Sequence, residues 1–111
     1  LNRLVTHGRT FLLADHFDIP HLRDLAFYKM GVVLSKDYGN PKAWQVDHVV
    51  ELVELCYEED RLARWREAVV LYAACRLDVL WEDKSFRTIV GQRGELAMDL
   101  IGALVGRLQV C

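Results

Sequence analysis

The sequence predicts an all-α fold, an antiparallel array of five to six helices in 111 residues, the length of one domain. Three observations carry this. Apolar residues recur at i, i+3, i+4 and i+7 along most of the chain, which is the period of a helix face. The strict apolar–polar alternation of a half-buried strand is nearly absent. Turn formers gather in a few clusters and leave long segments between them.

The first helix is expected over residues 2–17, where Leu4, Val5, Phe11, Leu12, Leu13, Ala14 and Phe17 cover more than one face. Asp18-Ile19-Pro20 breaks it. Pro20 presets φ in the first turn of a second helix, where a missing N–H costs nothing, and Asp18 is placed to cap that helix's free N–H groups. The second helix carries Leu22, Leu25, Ala26, Met30 and Val33 on one stripe. Residues 35–43 read as the longest loop, because Lys36-Asp37-Tyr38-Gly39-Asn40-Pro41 is dense in turn formers.

Beyond the loop, Val46, Val49, Val50, Val53, Cys56 and Tyr57 form the cleanest apolar stripe, with Asp47, Glu51, Glu54 and Glu58 opposite. Asp60 is placed to cap a fourth helix over residues 61–81, striped by Leu62, Trp65, Val69, Tyr72, Ala73, Leu77 and Leu80. Val70, Leu71, Ala74 and Cys75 make its middle apolar nearly all round, which predicts the longest and most central helix. A short helix over 84–90 follows, with Ser85 as its expected cap. Gly91-Gln92-Arg93-Gly94 then turns the chain into a last helix bearing Ala97, Leu100, Ile101, Leu104, Val105 and Leu108. Gly102 and Gly106 inside it cost about 1 kcal/mol each relative to Ala, so close approach of a neighbouring helix is the expected compensation.

Composition excludes several classes of function. The apolar share is 52%, yet no run approaches the roughly 18 apolar residues that span a bilayer, so no membrane partner is expected. Net charge is −2 with the signs interspersed, and no basic block points to nucleic acid. No secretory pattern opens the chain. Three cysteines without a C-x-x-C spacing point to a reducing compartment, cytoplasmic or nuclear.

The residues with chemistry read as structural. Ser35 and Ser85 lack a G-x-S-x-G elbow. His7, His16, His21 and His48 lack the i, i+4 spacing that puts two metal ligands on one helix face. His16 and His21 straddle the Asp-Ile-Pro break near Asp15 and Asp18 and read as surface histidines beside a turn. Glu58, Glu59 and Asp60 read as a solvated, capping run, and Arg61, Arg64 and Arg66 around Trp65 as a salt-bridged helix start. No catalytic residue, cofactor or metal is expected. The competing class, a small helical enzyme or a ligand- or metal-binding bundle, needs a concave pocket with convergent polar groups.

Two stretches resemble a known family. Phe11-Leu12-Leu13-Ala14-Asp15-His16-Phe17-Asp18-Ile19-Pro20-His21-Leu22-Arg23-Asp24-Leu25-Ala26 is similar to the segment that ends the BTB domain in fungal-type BTB/POZ proteins. Tyr72-Ala73-Ala74-Cys75-Arg76-Leu77-Asp78-Val79-Leu80-Trp81, Phe86-Arg87-Thr88-Ile89-Val90 and Gly94-Glu95-Leu96-Ala97-Met98-Asp99-Leu100 resemble, in order and spacing, pieces of its BACK-like helical extension. His16-Phe17 stands where the family has Lys-Tyr. The resemblance implies that residues 1–35 end a BTB-like domain, 36–45 form a loop and 46–111 form the extension, as one compact unit. It also implies a non-enzymatic scaffold or adaptor that binds a protein partner or supports oligomerisation. A cullin-type ubiquitin ligase is an implied partner, met by residues 46–58 and 61–71. The family's α/β core is not among these 111 residues, so what that core does is not carried over.

In the family the first helix packs on the sheet of that core. Leu4, Phe11, Leu12 or Leu13, all candidate interface residues, is therefore expected to be buried against a second chain or a rearranged neighbour helix. Trp44 and Trp81, large anchors of the kind found at binding hot spots, complete the candidate interface.

Overall fold

The computed structural model describes residues 2–38 and 42–110, apart from the side chains of Asp37, Ala43, Trp44 and residues 107–110. These residues fold as seven α-helices with no strand among them: α1 (Arg3–His16), α2 (Pro20–Asp37), α3 (Ala43–Glu58), α4 (Ala63–Cys75), α5 (Leu77–Leu80), α6 (Lys84–Gln92) and α7 (Gly94–Val110). A one-turn 3-10 helix, Asp60–Leu62, leads into α4. The fold class is all-α. The helix expected over residues 61–81 is divided into the 3-10 turn, α4 and α5, because Arg76 leaves helical geometry at φ −116° and ψ 23°. The longest helix is α2.

Asn2 starts α1 by accepting hydrogen bonds at Oδ1 from the N–H groups of Leu4 and Val5, at 3.1 and 3.4 Å. Its Nδ2 donates to the His48 carbonyl at 3.1 Å, which ties that cap to α3. The break after α1 works differently from its expected form. Asp18 takes a left-handed φ of 54°, its N–H donates to the Asp15 carbonyl at 3.2 Å, and the Ile19 N–H donates to the Ala14 carbonyl at 2.8 Å. Those two bonds make a Schellman closure of α1. Asp18 thus ends one helix with its backbone and does not cap the next, whose N-cap residue is Ile19 with Pro20 following.

The expected loop at 35–43 begins later, because α2 continues through Lys36 and Asp37. Tyr38 holds that end in place. Its ring is buried, its hydroxyl meets His48 Nδ1 at 2.7 Å, and its carbonyl accepts from the Tyr72 hydroxyl. Asp83, two residues before Ser85, caps α6 by accepting from the N–H groups of Ser85 and Phe86. Likewise α6 runs on to Gln92, and Arg93 alone separates it from α7.

The central helix is α3, which touches α1, α4, α6 and the 3-10 turn. Val46, Val49, Leu52, Val53 and Cys56 are buried on it while Asp47, Glu51, Glu54 and Glu58 face water. Trp65 of α4 is fully buried, with its ring 5.3 Å from Phe11 of α1 and 5.8 Å from Phe27 of α2. One cluster of buried apolar residues extends from Leu4 through α3 and α4 to Leu100. Burial of this kind, at about 25 cal/mol per Å² of apolar surface, is the main stabilising contribution.

Candidate functional site

The second half of α7 is apolar from Leu100 to Gly106, and within it only Leu100 is buried. It lies against α4 and α6. Between α4 and α7 the surface opens into a groove of about 890 Å³. Val70, Ala103, Gly102 and Gly106 line its apolar length. Leu71 and Met98 stand on it, 53% and 70% exposed. Ala63, Arg66, Glu67 and Asp99 complete it and supply its polar groups.

The two glycines are placed otherwise than their spacing suggests. A Cβ built at Gly102 or Gly106 meets nothing within 4 Å among the described residues, so no described neighbouring helix approaches them closely. The close approach occurs at Gly8, where a Cβ would stand 2.9 Å from Leu55 Cδ2 and 3.6 Å from Trp65 Cζ3.

The polar groups beside the groove bind one another. Arg66, whose side chain is 16% exposed, donates from Nε to the Cys56 carbonyl at 2.7 Å and pairs with Asp60 and Glu95, each at 3.5 Å. Its guanidinium lies 4.9 Å from the centre of the Tyr57 ring, a cation–π distance. The Tyr57 hydroxyl donates to Asp99. Burial, and next that hydrogen bond, push the Tyr57 pKa up, so the phenol stays a donor. Burial pushes Cys56 up to about 12, which keeps it an unreactive thiol.

The residues singled out by sequence scatter. Leu4 and Phe11 are buried within this chain by its own helices, Phe11 against Trp65, and so present no surface to a partner. Leu12 is half-buried against the same core. Leu13 is 57% exposed and Trp81 48% exposed, the latter with its ring 6.4 Å from Phe86. The Trp44 side chain lies outside the described residues. His16 and His21 are exposed beside the turn, while Asp15, next to His16, pairs with Arg23 and Arg61. No group of three or more His, Cys, Asp or Glu able to hold a metal occurs among the described residues. Glu58 pairs with Arg93, Glu59 with Arg61, and Arg64 with Asp24 while lying over the Phe27 ring.

The groove itself was not anticipated from the sequence. Its signal was the Leu100-Ile101-Gly102-Ala103-Leu104-Val105-Gly106 run, which is apolar on every face of a helix that has too few neighbours to cover it. Among the described residues no helix is long and apolar enough to cross a membrane. No protein-family model, curated protein or solved structure matches this chain.

Proposed function

We propose that this chain is a non-enzymatic protein–protein interaction module of a BTB/POZ-type protein, with a scaffolding or adaptor role. The observation that carries the reading is the α4–α7 groove, with exposed Leu71 and Met98 among its lining residues and exposed Ile101 and Val105 further along α7. Contiguous exposed patches of this kind mark interaction sites more often than isolated apolar residues do. The ordered resemblance of residues 11–26 and 72–100 to the BTB/POZ pattern supports the same reading. Free thiols at Cys56 and Cys75 fit a reducing cytoplasm or nucleus.

A cullin-type scaffold is the partner class that the resemblance implies. The surface available to it over residues 46–58 and 61–71 includes Asp47, Glu51, Glu54, Glu58, Arg64 and Glu67, because the apolar stripe of α3 faces the core. Such a contact would be mainly polar.

The test is quantitative crosslinking in cell extract with the wild-type chain and a Leu71→Glu/Met98→Glu double variant. Both side chains are exposed, so the variant is expected to fold normally and to lose a defined set of protein crosslinks. A wild-type chain that forms no specific crosslinks, or a variant that keeps all of them, would refute the reading. Titration with a purified cullin amino-terminal domain tests the narrower proposal, and absence of binding at micromolar concentration removes it.

A further inference from the structure

We infer that the groove between α4 and α7 receives an amphipathic helix of a partner protein whose apolar face is flanked by Lys or Arg. The inference rests on the protein-interaction reading above and adds the form and charge of the occupant.

Shape argues for a helix. The groove follows α4 from Ala63 to Leu71 and α7 from Met98 to Gly106. Eight helical steps at 1.5 Å make each wall about 12 Å long, the span of two turns of a bound helix. That length accepts apolar anchors at i, i+3 or i+4, and i+7. Gly102, Gly106, Ala103 and Ala63 keep the walls low, so a backbone can lie close between Leu71 and Met98. Gly102 and Gly106 each carry a helix-propensity cost of about 1 kcal/mol, and no contact among the described residues offsets it. A helix seated from outside would.

Charge decides between occupants. Glu67 and Asp99 line the described part of the groove, against Arg66 alone. Arg66 is already engaged by the Cys56 carbonyl, Asp60 and Glu95. Glu67 is exposed and enters no ion pair among the described residues. A second copy seated parallel by its own α7 would bring its Glu95 and Asp99 beside these acids, and like charges across an interface oppose association. An anionic lipid surface or a nucleic acid would meet the same repulsion. Lysines or arginines beside the apolar face of a helix would instead face Glu67 and Asp99.

The test uses three fluorescein-labelled peptides of about eighteen residues, five helical turns. One carries Leu at helical spacing flanked by Lys, one has Glu at the Lys positions, and one is a shuffled form of the first. Fluorescence anisotropy is expected to show binding of the Lys peptide, at least tenfold weaker binding of the Glu peptide, and none of the shuffled peptide. Gly102→Leu fills the groove and should weaken the Lys peptide about tenfold or more without lowering Tm. Glu67→Lys should weaken the Lys peptide and strengthen the Glu peptide. Equal binding of all three peptides, or indifference to both variants, overturns the inference. So does a wild-type dimer in analytical ultracentrifugation that Gly102→Leu dissociates, since the occupant is then a second copy. Loss of crosslinks in Leu71→Glu/Met98→Glu without Lys-peptide binding rejects this inference and leaves the interaction module standing. Lys-peptide binding through Gly102 by a chain that crosslinks no protein does the reverse.

Discussion

One substitution, made at two places, measures how each glycine is packed. Gly→Ala in a helix interior stabilises by about 1 kcal/mol where the new methyl has room. At Gly102 it meets nothing within 4 Å, so the full gain is expected, which for a domain of this size raises Tm by about 4–8 °C. At Gly8 the methyl would stand 2.9 Å from Leu55 Cδ2 with Trp65 behind it at 3.6 Å. Leu55 must turn away or α1 must lift from α3, and overpacking of this kind costs about 1–3 kcal/mol. Subtracting the propensity gain leaves Gly8→Ala between neutral and about 2 kcal/mol destabilised. The same change at the two sites should therefore differ by about 1–3 kcal/mol. Urea denaturation followed by far-UV circular dichroism, with m held constant, reads both values. A Gly8→Ala variant as stable as Gly102→Ala would refute the close approach of α1 to α3. A destabilised Gly102→Ala would show that something already covers the groove in solution.

Trp65 Nε1 is buried and has no hydrogen-bond partner among the described residues. Trp65→Phe removes that orphan donor, worth about 1–3 kcal/mol, while shrinking a packed ring. Its loss in urea should accordingly be well under the roughly 3–5 kcal/mol of Trp65→Ala, and equal losses would refute the orphan assignment. Arg66→Lys keeps the charge but not the Nε bond to the Cys56 carbonyl or the planar contact with Tyr57. It should cost about 1.5–3 kcal/mol, and an unchanged urea midpoint would show that Arg66 is not a structural tie. His7 has a pKa lowered below 6.5 by burial, then by Lys29 and Arg3. The unfolded chain therefore binds the proton more readily, and the His7 contribution is present above pH 6.5 and lost as pH falls through the lowered value. His7→Gln should flatten the loss of Tm on acidification in that window, and an identical slope in both proteins would exclude His7 as its source.

Period made much of this fold legible, and local geometry hid the rest. The α3 stripe, the burial of Trp65 and the start of α2 at Pro20 follow from spacing and from one fixed φ. The end of α2 does not, because Ser35, Lys36 and Asp37 read as turn formers while a tertiary anchor at Tyr38 carries the helix past them. The break at Arg76 has no proline or glycine to announce it. For Leu4 and Phe11 the sequence leaves open a second chain or a neighbour helix as cover, and helices of this chain supply it, because the neighbours of α1 are set by the tertiary fold. Apolar pattern alone cannot say which side of a helix goes unclaimed. On α7 the unclaimed side is the groove.

Asp18 bears on which sequences can occupy this fold. It is the only described non-glycine residue with positive φ, a region that only Gly, Asn and Asp visit at small cost. Both helices it joins depend on that one backbone choice, through the Asp15 and Ala14 carbonyls on one side and the entry to Pro20 on the other. Position 18 therefore acts as a filter on substitution, although it is exposed. In a saturation library selected for folded protein, Gly and Asn should persist there while Val and Ile drop out. Exposed Phe17 and Ile19 on either side should accept a wide range, so tolerance along this turn would track the torsion angle and not the burial.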